Sequence, residues 1–176
     1  AVDVATGVAN RLTQTRGTWR NPTVSPDGKW IAIFGYPAST KSYQAAALYL
    51  MRPDGSGMRA LTAELDRDPQ WVRWAPDGSG IYFTAQDRGA SNVQFAALSG
   101  SVRQLTSGAQ LLSLSSLAKT GVATGTRTTS QQPADVVRIN LKKPADLAQL
   151  THVNDDMLTG IRLGAVEELW YGSTDG

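Results

Sequence analysis

No cysteine occurs in the 176 residues, which removes disulfides, thiolate metal ligands and cysteine nucleophiles together. Histidine is almost as scarce: His152 stands alone, so a Ser-His-Asp triad would have a single candidate base. No apolar run approaches the roughly 18 residues that a membrane helix needs, and the opening residues lack a basic stretch followed by an apolar core. Charge of either sign is modest, with 17 Lys and Arg against 15 Asp and Glu. A net charge of +2 gives no field strong enough to gather nucleic acid or an anionic membrane. These absences fit a cytoplasmic protein with no cofactor, no nucleic-acid partner and no membrane partner. Disorder is excluded by the opposite consideration, since a hydrophobic content of 41% is enough to build a core.

What the sequence does have is a repeat. A Leu-Thr pair closes a hydrophilic stretch at Leu12-Thr13, Leu61-Thr62, Leu105-Thr106 and Leu150-Thr151, in steps of 49, 44 and 45 residues. That period is one four-stranded propeller blade. Locked in phase with it, Ser25-Pro26-Asp27-Gly28-Lys29-Trp30-Ile31 returns as Ala75-Pro76-Asp77-Gly78-Ser79-Gly80-Ile81. Proline presets φ for a turn, and Asp-Gly supplies the positive φ of a tight hairpin. Each of these turns leads into a short apolar run, Trp30 to Phe34 and Ile81 to Phe83, too short for a helix and suited to a strand buried on both faces. The following strands also correspond: Ala47 to Met51, Val93 to Leu98, and Val136 to Leu141. In the third unit the turn has decayed to Leu117-Ala118-Lys119-Thr120-Gly121. No stretch holds a 3.6-residue period between caps, so helices should be few.

The expected fold is therefore all-β, a propeller fragment of about four blade units made of WD40-like or TolB-like repeats. Residues 1–13 should end one blade, 14–62, 63–106 and 107–151 should form three whole blades, and 152–176 should start a further one. With no initiator Met before Ala1, the true N-terminus is expected to be missing. Two open blade edges invite pairing with the remaining blades of a longer parent chain, or with a second copy.

Candidate chemistry is thin. His152 follows a Leu-Thr marker beside Asp155 and Asp156, which is too few ligands for a zinc or calcium motif; the favoured reading is a loop histidine. No serine lies in a G-x-S-x-G elbow. Gly55-Ser56-Gly57-Met58-Arg59-Ala60 fits a dinucleotide fingerprint in letters only, because it falls inside a repeat where a hairpin turn belongs. Trp19, Trp30, Trp71, Trp74 and Trp170 could stack a ligand, although their places beside the repeat markers favour packing between blades. Asp66-Arg67-Asp68 reads as a solvated ion-pair cluster at the entrance of the second unit. The first unit exceeds the others by the segment 35–44, and such excess loops are where propellers vary function. Tyr36, Lys41, Tyr43 and Arg67 are thus the candidate substrate-gate or contact residues; no catalytic, cofactor or metal ligand is assigned.

The chain resembles the propeller of the prolyl oligopeptidase family of serine peptidases, nearest its acylaminoacyl-peptidase branch. The S-P-D-G-K-W-I-A repeat is shared with TolB-like propellers. More discriminating are Leu150-Thr151-His152-Val153-Asn154-Asp155 and Val166-Glu167-Glu168-Leu169-Trp170-Tyr171-Gly172-Ser173-Thr174-Asp175-Gly176, which are similar to the family's passage from last blade to hydrolase domain. Thr129 to Val136, with Pro133, resembles its late-blade strand-loop-strand pattern. The resemblance spans nearly the whole chain and about half of a seven-bladed family propeller. It implies a non-catalytic lid and substrate-size gate over an α/β-hydrolase domain absent from these residues, with peptides as the parent's substrates. The alternative is a free-standing TolB-like propeller serving as a protein-interaction module.

Overall fold

The computed structural model describes residues 1–174. Three four-stranded antiparallel blades follow one another along the chain, each strand pairing with the next. The first comprises β1 (Gly17–Val24), β2 (Ile31–Pro37), β3 (Ala47–Met51) and β4 (Arg59–Ala60). The second comprises β5 (Gln70–Trp74), β6 (Gly80–Asp87), β7 (Ala90–Ala97) and β8 (Val102–Gln104). The third comprises β9 (Gln110–Leu117), β10 (Val122–Thr129), β11 (Gln132–Asn140) and β12 (Lys143–Gln149). A single parallel bridge, Ser91 to Leu111, ties the second blade to the third. The architecture is the β-propeller fragment that the repeat predicts.

The repeat markers have identifiable jobs. In the turn after β1, the Ser25 N–H bonds to the Trp30 carbonyl and the Gly28 N–H to the Ser25 carbonyl; Ala75, Gly78 and Gly80 repeat the pattern after β5. Gly28 and Gly78 both sit at φ +72, the left-handed conformation that glycine adopts without a Cβ penalty. The third turn keeps the glycine bond despite its altered letters, with Gly121 donating to Ala118, but closes one residue sooner, Ala118 donating to Val122. The Leu-Thr threonines clasp the outer strands. Thr62, Thr106 and Thr151 offer their hydroxyl oxygens at 2.8–2.9 Å to the N–H groups of Leu48, Val93 and Val136 on the third strand of each blade.

Apolar side chains pack between blades, which is what joins repeats into one body. Leu48, Leu50 and Leu61 of the first blade meet Trp74, Ile81 and Phe83 of the second. Val93 and Phe95 of the second meet Leu112, Leu114, Val137 and Ile139 of the third. The Trp74 indole reaches back 3.1 Å to the Thr23 carbonyl, stitching the inner strands together. Trp19, Trp30 and Trp71 pack partly against these clusters, whereas Trp170 is 71% exposed. The Gly55–Ala60 segment is a hairpin turn leading into β4, with Gly55 donating to Arg52.

The flanking segments differ from expectation. Residues 1–13 form one antiparallel bridge, Val2 to Ala9, around a turn in which the Asp3 carboxylate accepts the N–H groups of Ala5 and Thr6. Residues 152–174 contain a helical turn, α1 (Asp155–Leu158), and no strand. A strand persists only when its backbone groups have a ladder partner, and among the described residues no fourth blade supplies one. The expected Ser-Thr-Asp-Gly turn at 173–176 runs beyond the described residues.

Candidate functional site

Because each blade runs up and down four times, its loops fall at two ends. The hairpins joining first to second and third to fourth strands lie at one end, here the turn end; Leu141 bonding to Gly121 shows two of them side by side. Links between second and third strands, and between successive blades, lie at the other, the connection end. Tyr36, Lys41, Tyr43 and Arg67 all belong to the connection end, as do His152 and the segment 38–46.

These residues surround adjoining hollows between the first two blades. The largest, about 800 Å³, is walled by residues of β1 and β5 and by the 38–46 segment, and Tyr36 and Tyr43 line it. Tyr43 also borders a recess shared with Arg67 and another shared with Lys41. The structure thus brings the four candidates to one region, with Tyr43, 74% exposed, common to all three hollows. The Asp68 carboxylate fixes the segment's return by accepting the Ala46 N–H at 2.6 Å. Arg67 is already engaged: Nη2 and Nε lie 2.7 and 3.0 Å from Asp87 Oδ1, and this carboxylate raises the guanidinium pKa above its ordinary value. The Asp66-Arg67-Asp68 cluster is accordingly an exposed ion-pair group, its arginine the least available of the four for a ligand.

The inner strands carry a feature that the sequence did not reveal. Both β1 and β5 are bulged, between Arg20 and Thr23 and between Gln70 and Arg73. Each bulge places a non-glycine residue in the left-handed region, Asn21 at φ 49 and Trp71 at φ 48. Asn21 and Trp71 stand 50 residues apart, the same step as the Pro-Asp-Gly turns. Asparagine tolerates this conformation, but for a bulky side chain it is an outlier that costs on the order of 1–3 kcal/mol and gathers at functional sites. Bulges re-aim side chains, here those bordering the large cleft. Among the described residues, two polar atoms of the cleft, Trp71 Nε1 and Gln44 Oε1, are buried without a hydrogen-bond partner.

A second polar group surrounds Asp135, which is 3% exposed. Its Oδ1 accepts the Thr151 hydroxyl at 2.6 Å and the Val153 N–H at 3.1 Å, and its Oδ2 lies 3.3 and 3.2 Å from the amides of Gln132 and Gln149. The Thr151 hydroxyl, followed by the Val153 amide, holds this carboxyl below the ordinary value. Asn92 occupies the corresponding place in the second blade, accepting Thr106 at 2.9 Å and Gln110 at 3.0 Å. The group is a blade clasp. His152 is bonded at its edge, with Nδ1 3.1 Å from Asp155 Oδ2. Among the described residues no group of three or more His, Asp or Glu could hold a metal ion.

Comparison with known proteins matches the fold. No family model matches the chain. The dipeptidyl-peptidase 5 of Porphyromonas gingivalis is 31% identical over 162 residues, which cover 88% of this chain and 22% of that protein. Puromycin hydrolase superposes with a TM-score of 0.61 at 17% identity, covering 77% of this chain and 22% of that one. The Pyrococcus horikoshii acylaminoacyl peptidase gives 0.59 at 19%, covering 77% and 20%. Together the sequence match and the shared fold support a propeller domain of a prolyl oligopeptidase-family peptidase. This propeller portion spans about a fifth of the relative from P. gingivalis. At these identities the structural likenesses establish the fold alone, and a TolB from Agrobacterium tumefaciens shares it equally, with a TM-score of 0.59 at 19% identity covering 78% of this chain and 50% of that one. No helix among the described residues is long and apolar enough to cross a membrane.

Proposed function

We propose that this chain is wall and gate: the part of a serine peptidase propeller that covers an α/β-hydrolase domain outside these residues and limits entry to peptides. The observation that carries the reading is the crowding of variable features at the connection end. The 38–46 segment, the Arg67 group and the His152 turn gather there. The segment after α1 crosses the same end, where Gln131 Nε2 donates to the Gly164 carbonyl at 2.8 Å and the Arg88 guanidinium lies 5.3 Å from the Trp170 ring centre. A domain continuing from this segment would meet the propeller on that face, so the hollows beside Tyr36 and Tyr43 would open toward its active site. A stiff ring admits an extended peptide more readily than a folded protein.

The relatives' names offer two substrate ends, a dipeptide or an acylated amino acid, and the acylaminoacyl branch remains our reading among these. The open blade edges pair, on this account, with the parent's remaining blades. A cytoplasmic location accords with the lack of cysteine. The interaction-module alternative rests on the TolB likeness, which supports both readings alike. The test uses the parent protein: the same cleavable sequence is presented as a short chromogenic peptide and within a folded carrier. Rapid turnover of the first and none of the second is expected. Equal turnover of both, or a parent whose sequence past Gly176 lacks a G-x-S-x-G elbow with later Asp and His, would overturn the reading.

A further inference from the structure

The large cleft between β1 and β5 has an electrostatic imbalance that the gate reading does not use. Arg20 and Arg73 line it from the first strands of neighbouring blades, and both are exposed. Among the described residues neither has a carboxylate partner: the ion pairs are Lys29 with Asp27, Arg67 with Asp66 and Asp87, and His152 with Asp155. The acidic residue in the cleft wall, Asp68, already accepts the Ala46 amide. Arg73 is held in place by its neighbours. Its Nη1 donates to the Val72 carbonyl at 2.9 Å, and its guanidinium lies 5.7 Å from the Trp71 ring centre, within range of a cation–π contact. Trp71 is in turn set by the strained bulge of β5.

We propose that this cleft is a subsite for a carboxylate carried on a peptide, bound between Arg20 and Arg73 with Tyr36 and Tyr43 as walls. Arginine suits the role because its planar fork meets a carboxylate with two parallel hydrogen bonds. The net positive lining selects a single negative charge over a neutral amide. The carboxylate comes from the peptide's C-terminus or from an acidic side chain. A terminal carboxylate would give a peptidase a direct measure of peptide length, a property that deepens the gate reading and rests on it for the identity of the ligand.

The test is calorimetric titration of the chain with three probes: N-acetyl-tetraalanine with a free C-terminal carboxylate, its C-terminal amide, and N-acetyl-Ala-Glu-Ala-amide. The free acid should bind about tenfold more tightly than the amide, with affinity falling as salt rises. Binding of the glutamyl amide as tightly as the free acid assigns the site to any carboxylate; its failure to bind assigns it to the terminus. Arg20→Gln and Arg73→Gln should each weaken the free acid about tenfold, Arg73→Lys should weaken it less, and Lys29→Gln, at the turn end, should leave it unchanged. Circular dichroism establishes that each variant is folded. As a second measurement, KM of the parent should show the same preference for free acid over amide. Amide bound as well as acid, no binding of either, or arginine variants that bind like the unaltered chain would overturn the subsite. These results would leave size exclusion by the parent intact, just as cleavage of folded carriers would end the gate reading without touching carboxylate binding.

Discussion

The two ends of the blades obey different rules. At the turn end a short hairpin with a glycine bonded back to its first residue is built three times, by Ser25 to Trp30, by Ala75 to Gly80 and, one residue shorter, by Ala118 to Val122, with hydrogen bonds of 2.8–2.9 Å throughout. At the connection end the threonine clasp repeats, but the residue preceding the clasped N–H is Ala47, Asn92 or Asp135. Strand pairing and blade packing demand the first regularity, because a register slip would turn every apolar side chain to the wrong face. Nothing in the packing demands the second. Variation is therefore free to accumulate where it can serve a site, and strained Trp71 and Asn21 border the large cleft.

The contrast has graded consequences for stability. Phe83 is fully buried between the first two blades, and Phe83→Ala should cost about 3–5 kcal/mol, measured by urea denaturation; a cost near zero would mean that the blades do not pack as described. Thr106→Val should cost about 1–3 kcal/mol, since it strands the buried Val93 N–H and leaves Asn92 Oδ1 with the Gln110 amide alone. In the third blade the clasp titrates. The folded pKa of Asp135 is lowered, so its contribution is present above the unfolded value of about 3.9 and is lost as pH falls through the folded value. Asp135→Asn should accordingly flatten the acid limb of the stability profile relative to the parent chain, read by thermal denaturation at pH 3 and pH 6. At the lower end of the scale, Tyr43→Ala should change stability by no more than about 0.5 kcal/mol. A loss comparable to that of Phe83→Ala would break the contrast.

How much of this was legible in the sequence follows the same division. Turns and interior strands were readable because they need particular residues: glycine at positive φ, and unbroken apolar runs such as Ile81 to Phe83. The third turn survives with altered letters since only Gly121, at φ 89, meets a conformational demand. The gathering of Tyr36, Lys41, Tyr43 and Arg67 was foreseeable from loop length and repeat phase. The bulges were not, because asparagine and tryptophan carry no common signal for a left-handed backbone. The Asn92 and Asp135 clasps left a usable trace, a polar residue directly before the third-strand N–H that the threonine caps. The strands expected over 152–176 from the repeat register are not formed among the described residues, because a strand needs a neighbour to pair with.

The central claim is that the connection end faces the hydrolase domain, and lysine placement allows it to be tested directly. Lys41 lies at the connection end; Lys29, Lys119 and Lys142 lie in turn-end hairpins. Amine cross-linking of the parent protein followed by mass spectrometry should join Lys41 to residues beyond position 176 and leave the other three without such links. Cross-links from Lys29, Lys119 or Lys142 to that domain, with none from Lys41, would contradict the account.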